Sequence, residues 1–196
     1  MSATVLAVTG EKLSTQELDQ AKLFLEQTHN TVIGATKRLS DAQWSFKPAP
    51  DRWSISENLA HMVIVQERVL GPIMDQLANA PAPPADFDYR VVDTIVIHQF
   101  PTRLDKFQAP EAVHPVDEII PGDLLTRLAK NYAAMNERLE TPDLRRHAIE
   151  SAPVKAVSKG TYTLMDGYQW ILALAAHTER HAKQMLEVVA EPGFPS

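Results

Sequence analysis

Four long segments of the chain repeat an apolar residue every three or four positions. They cover residues 14–39, 54–79, 121–140 and 163–189. This spacing places the apolar side chains on one face of an α-helix, and such faces are stable when they are buried against one another. The pattern therefore predicts an all-α fold built from four amphipathic helices.

Two of these segments begin with a capping motif. Ser14 is followed three residues later by Glu17, and Ser54 is followed by Glu57 at the same spacing. In such a pair, each side chain accepts a hydrogen bond from a free backbone N–H group of the first helical turn. The first two helices are therefore predicted to begin at these serines.

The connections between the helices predict the topology. A proline-rich connection of about forty residues, unusually long for a compact domain, joins the second and third helices. Within it the apolar residues 91–98 predict a short helix in preference to a strand. Pro121 suits the first turn of the third helix, and Thr163 is the predicted cap of the fourth. Short first and last connections and a long crossover predict an up-down-down-up four-helix bundle, formed by a single domain over residues 1–196.

Composition excludes several classes of protein. The chain has 196 residues, no cysteine and a net charge of −6. An acidic chain lacks the basic surface that nucleic-acid phosphates require, and without cysteine any metal must be bound by histidine or carboxylate. No apolar run reaches the about 18 residues of a membrane span, and residues 1–10 lack the basic start of a signal peptide. We therefore expect a cytoplasmic protein that binds neither nucleic acid nor membrane.

His177 and His181 are the clearest candidates for a functional site. They lie four residues apart in the fourth helix, so one face carries both side chains, and that face is otherwise apolar. Burying an imidazole without hydrogen-bond partners is costly. A divalent metal would bind one nitrogen of each ring, while the other nitrogen donates to a neighbouring group. The alternative is that both are core histidines without a ligand.

A two-histidine site needs at least one further ligand. Carboxylates and the other five histidines are candidates: His29, His61, His98, His114 and His147. The helical spacing permits His61, which lies to the side of the apolar stripe of the second helix. The spacing does not select it over the others.

Two segments of the chain carry motifs that occur together in one family. Residues 53–61 read WSISENLAH and residues 177–185 read HTERHAKQM. These motifs resemble the patterns W-S-x-x-E-x-L-x-H and H-x-x-x-H-x-x-Q-[IM] of the DinB/YfiT-like superfamily of metal-dependent enzymes. Residues 106–111, followed by Pro115, also resemble its crossover, and the resemblance extends over about residues 18–189.

The resemblance implies both a fold and a site. It implies the up-down-down-up bundle and one divalent metal, usually zinc or nickel, held by His61, His177 and His181. Characterised relatives include S-transferases that use bacillithiol or mycothiol, and a thiol-dependent maleylpyruvate isomerase. We therefore expect a metal-dependent enzyme, with thiol-dependent S-transfer to a small molecule as the favoured activity and a low-molecular-weight thiol as a further cofactor.

Three other functions stay open. A hydrolase would use the same metal to activate water. A non-catalytic bundle would bind a metal or a ligand, or simply hold the histidines in its core. A ferritin-like di-iron site needs a Glu-x-x-His motif on each of two helices, but residues 111–114 lie in the crossover and only residues 26–29 lie in a helix. Among partners we expect a small-molecule substrate, and a homodimer is the commonest assembly for such a chain.

Overall fold

The computed structural model describes residues 12–102, 111–115 and 119–196, and the protein is mostly helical, as predicted. Its elements in chain order are α1 (Thr15–Ala35), α2 (Asp41–Ser45), α3 (Ile55–Ala78), α4 (Tyr89–Gln99), a single 3-10 turn (Glu111–Val113), α5 (Pro121–Leu139), β1 (Ala148–Glu150), α6 (Ala152–Val157), β2 (Leu164–Asp166) and α7 (Gly167–Val189). The four periodic segments correspond to α1, α3, α5 and α7.

The local signals place most helix starts correctly. The Ser14 and Ser54 hydroxyls accept from the backbone N–H groups of Glu17 and Glu57, whose carboxylates accept in return from the two serine N–H groups. Pro121 occupies the first turn of α5. The short helix predicted over residues 91–98 is also confirmed, as the middle of α4.

The predicted start of the fourth helix is wrong. Thr163 does not cap α7, because its carbonyl accepts from the N–H of Ser151 and so extends a small hairpin. In that hairpin β1 and β2 pair antiparallel. The cap is Asp166, which exchanges hydrogen bonds with Gln169 in a complete capping box. The first helix is shorter than predicted, since α1 ends at Ala35 and the chain then turns through a left-handed Arg38 with φ of 57°.

Helix α7 is the centre of the structure. It packs against α1, α3 and α4, and α5 packs against α3 and α1. Its first half lies in one apolar cluster with α1, α4 and the hairpin, whereas its second half lies in another with α2 and the start of α3. Among the described residues, no helix combines the length and the apolarity that a membrane crossing needs.

Candidate metal centre

Three histidines from two helices meet between α3 and α7. His61 lies on α3, and His177 and His181 lie one turn apart on α7. One nitrogen of each ring lies within 4.8 Å of the corresponding nitrogens of the other two, and Nε2 of His61 is 3.1 Å from Nε2 of His177. We call these three residues the histidine group. The other four candidate histidines are described by the structure and lie outside it: His29, His98, His114 and His147.

The protein determines the tautomer of His61. Its Nδ1 lies 2.8 Å from the backbone carbonyl of Val113, in the 3-10 turn of the crossover. A carbonyl oxygen only accepts, so Nδ1 must carry the proton. Nε2 of His61 therefore directs a lone pair toward the other two rings. The His61 ring is oriented by the crossover rather than by a neighbouring helix.

A side chain on α3 is hydrogen-bonded to His181. Nδ1 of His181 lies 3.0 Å from Oδ1 of Asn58, and Nδ2 of Asn58 donates to the Ser54 carbonyl at 2.9 Å. Because the amide nitrogen is committed to Ser54, the oxygen faces His181 and accepts from its Nδ1–H. Nε2 of His181 is then left with a free lone pair.

The third ring has no such partner. Nδ1 of His177 is buried and makes no hydrogen bond to any described residue. His61 and His181 are almost completely buried, whereas His177 keeps partial exposure. His177 is therefore the most exposed residue of the group.

The histidine group fits a divalent cation. Two nitrogens bound to one tetrahedral zinc ion at the usual 2.0–2.1 Å lie roughly 3.3–3.4 Å apart, and the 3.1 Å between His61 and His177 is close to this spacing. The Nε2 lone pairs of His61 and His181 point into the same space. At most one N–H group, that of His177, could satisfy either lone pair from within the group. A cation would satisfy all three rings.

Electrostatics keep the three rings neutral. Burial lowers the pKa of His177 to about 3, and repulsion from His61 and Arg180 acts in the same direction. Burial also holds the pKa of His181 well below its usual value. The pKa of His61 is lowered by burial, although its bond to Val113 opposes the shift. Neutral imidazole is the form that binds a metal ion.

The Trp53 indole forms one wall of the site. Its ring centroid lies 4.8 Å from that of His61, 5.9 Å from that of His181 and 5.8 Å from that of His114. An apolar ring packed against two of the histidines excludes water from one side of the group, and electrostatic interactions are stronger where water is excluded. The sequence alone favours Trp53 as a core residue, and only its place in the WSISENLAH motif hints at the site.

Two arginines connect the helices of the histidine group to the crossover. Arg68 on α3 donates to the Ala112 carbonyl, and Arg180 on α7 donates to the Thr102 carbonyl. The crossover is therefore held next to the histidine group on both sides. Of the crossover motif that resembles the family, residues 106–110 lie outside the described residues.

The fold and the site together define a mostly helical protein with a candidate three-histidine metal centre. The chain belongs to the DinB superfamily, whose family model matches residues 25–185 and so includes all three histidines. It is similar to the uncharacterized protein YuaE of Bacillus subtilis strain 168, with 24% identity over 156 residues that cover 78% of this chain and 86% of that protein. No solved structure matches the chain.

Proposed function

We propose that the protein is a metal-dependent enzyme in which His61, His177 and His181 hold one divalent ion, zinc or nickel. The observation that carries this proposal is the convergence of three neutral imidazoles, two of them with an unprotonated Nε2 directed at the others. Three protein ligands leave a coordination position open, which is typical of catalytic rather than structural sites.

We further propose thiol-dependent S-transfer to a small molecule. A bound divalent ion supplies the Lewis acidity that favours thiolate over thiol. The chain contains no cysteine, so the sulfur must come from a low-molecular-weight thiol. In the transfer, this sulfur forms a bond to an electrophilic carbon of the substrate, the leaving group departs with the electrons of the broken bond, and the thiol proton is released. Trp53 and the crossover turn would keep bulk water away from the reacting sulfur.

We also propose that the four long helices form an up-down-down-up bundle in one domain. Three sets of contacts support it. The starts of α1 and α7 are adjacent, because the Tyr168 hydroxyl donates to the Glu17 carbonyl at 2.9 Å. The end of α5 lies beside the start of α1, where Lys22 pairs with Glu140. The histidine group joins the first half of α3 to the second half of α7.

Elemental analysis of untagged protein tests the metal proposal. We expect close to one zinc or nickel per chain in the wild type, and almost none in His61→Ala, His177→Ala or His181→Ala. His98→Ala is the matched control, because His98 is exposed on α4 outside the histidine group, and it should keep the metal. Metal retained in all three group variants would contradict the proposal, as would wild-type protein that stays metal-free after incubation with zinc and nickel salts.

A turnover assay tests the transfer chemistry. Metal-loaded protein is mixed with a model electrophile and a panel of small thiols, and the thioether product is measured. We expect product only when protein, metal and thiol are all present, and none with His61→Ala. Turnover of hydrolysable substrates without thiol would instead support the hydrolase alternative on the same site.

A further inference from the structure

Asn58 is a polar side chain buried next to the histidine group, and both the oxygen and the nitrogen of its amide make hydrogen bonds. Only 1% of its surface is exposed. Its Oδ1 accepts from Nδ1 of His181 at 3.0 Å, while its Nδ2 donates to the carbonyl of Ser54 at 2.9 Å. Ser54 itself is held as the N-cap of α3 by its exchange of hydrogen bonds with Glu57.

We propose that Asn58 is a positioning residue of the metal centre, which selects the tautomer of His181 that can bind metal through Nε2. This inference rests on the metal-dependent function proposed above. A neutral imidazole carries its single proton on either nitrogen, and the hydrogen bond at one nitrogen decides which. An acceptor at Nδ1 keeps the proton there, so Nε2 offers its lone pair to the ion.

The first turn of α3 keeps the amide in this orientation. A flipped amide would place Oδ1 against the Ser54 carbonyl and Nδ2 against the Nδ1–H of His181. Acceptor would then face acceptor and donor would face donor, at a side chain that is almost completely buried. Leaving buried hydrogen-bonding groups unsatisfied is costly, so the flip is strongly disfavoured. The cap of α3 therefore sets the orientation of a ligand on α7.

Two substitutions separate this role from simple packing. Asn58→Asp keeps an acceptor for His181 but loses the donor to Ser54. Asn58→Leu loses both, at similar size. Each variant removes the side-chain hydrogen bond to the Ser54 carbonyl and leaves it only the backbone N–H of residue 58, so both should lower the free energy of unfolding. Asn131→Leu is the matched control, since Asn131 donates to Gln66 at 3.2 Å without touching a histidine of the group.

The experiment measures zinc and nickel dissociation constants by chelator competition, together with the tautomer of His181 in metal-free protein by imidazole nitrogen-15 NMR. In Asn58→Leu we expect metal binding weakened by about 10- to 100-fold, the usual loss on removing such a partner, and a mixture of His181 tautomers. In Asn58→Asp we expect binding within a few-fold of wild type and the proton on Nδ1. Asn131→Leu should leave both readouts unchanged.

Several outcomes would overturn the inference. One is wild-type affinity in Asn58→Leu, and another is equal loss in Asn58→Asp and Asn58→Leu, which would indicate packing alone. If Asn58→Leu does not fold, the test rests on Asn58→Asp. A proton found on Nε2 of His181 in Asn58→Asp would contradict the positioning role of Asn58. If the wild type binds no metal, the proposed function fails, and the NMR comparison still tests the positioning role by itself.

Discussion

Two buried polar clusters lie along α7, and they are built on opposite principles. The histidine group occupies the second half of the helix. The other cluster surrounds the helix start and is centred on Arg145, which is 4% exposed. We call it the arginine cluster, and its members are Arg145, Glu17, Asp93, Asp166, Tyr89 and Tyr168.

In the arginine cluster donors meet acceptors from the same chain. The guanidinium of Arg145 donates to Asp166 at 2.8 Å, to Asp93 at 2.6 Å and to Glu17 at 2.8 Å, and only its Nε lacks a partner among the described residues. The ring centroids of Tyr89 and Tyr168 each lie 4.4 Å from the guanidinium carbon of Arg145. The face of an aromatic ring attracts a cation at this distance. Burial alone would lower the pKa of Arg145, but the carboxylates outweigh burial and raise it, so the charge is kept.

In the histidine group two acceptors converge, and a single N–H group at most is available to them. His61 and His181 both direct an unprotonated Nε2 at the third ring, and no described carboxylate joins them. The difference teaches how to distinguish two kinds of buried polar cluster. A cluster whose donors pair with acceptors of the same chain needs no partner from outside. A cluster that leaves lone pairs converging would be satisfied by a cation from outside, and so indicates a candidate binding site.

The largest effect should come from breaking the arginine cluster. Arg145→Leu leaves three carboxylates without their buried partner, so we expect the free energy of unfolding to fall by about 3–5 kcal/mol. Guanidinium denaturation followed by circular dichroism measures this. The folded fraction should still bind as much metal as the wild type. A fall in unfolding free energy below about 1 kcal/mol is typical of a surface ion pair. Such a result would contradict the contrast between the arginine cluster and the histidine group.

The next largest effect should come from removing the metal. A ligand that binds only the folded state, at a free concentration 100 times its dissociation constant, stabilises by roughly 2.7 kcal/mol. We therefore expect a chelator to lower the thermal unfolding midpoint of the wild type and to leave that of His177→Ala unchanged. Arg145→Lys should retain the chelator response, since its defect lies in the other cluster. An equal response in His177→Ala would show that the histidine group is not where the metal acts.

Local signals in the sequence account for most of the fold. The capping pairs at Ser14 and Ser54 and the proline of α5 act within one helical turn, so they can be found by spacing alone. The true cap of α7 has such a signal too, in Asp166 and Gln169, but Thr163 is also a residue type that caps helices, and it precedes them in the chain. The hairpin of β1 and β2 could not be predicted from its short mixed segments, because strand pairing depends on residues far apart in the chain.

Only part of the candidate site could be predicted from the sequence. His177 and His181 share a helix face by spacing, whereas His61 required the family resemblance, since its helix permits the residue without selecting it. Asn58 and Trp53 act through contacts between helices, which no spacing rule predicts. The Val113 carbonyl leaves no sequence signal at all, because every residue carries one.

A moderate effect should follow from crowding the backbone beside the arginine cluster. A Cβ atom at Gly167 would lie 3.0 Å from the carbonyl oxygen of Leu144, the residue before Arg145. Since a backbone oxygen cannot move away cheaply, we expect Gly167→Ala to cost about 1–3 kcal/mol of unfolding free energy. Gly71→Ala is the control, because its Cβ would meet nothing within 4 Å, and it should stabilise α3 by up to about 1 kcal/mol. Chemical denaturation of both variants checks the opposite signs, and a neutral Gly167→Ala would contradict the tight contact.

The smallest effect should appear in the pH dependence of the arginine cluster, through Glu17. Burial raises the pKa of this carboxyl, but hydrogen bonds from Ser14 and Arg145 together with the charge of Arg145 outweigh burial and lower it from 4.5. A carboxyl with a lowered pKa in the folded state contributes stability that is present above its unfolded pKa and is lost as the pH falls through the folded pKa.

Glu17→Gln isolates this contribution, because glutamine at the same position can still complete the capping box with Ser14. We expect the wild type to lose more unfolding free energy than the variant as the pH falls below about 4.5. The difference should not exceed about 1 kcal/mol, since the carboxylate is partly exposed and screened. Urea denaturation of both proteins from neutral to acidic pH measures it, and parallel curves would contradict the charge contribution. Metal affinity at neutral pH should be the same in both proteins, because the arginine cluster and the histidine group have no residue in common.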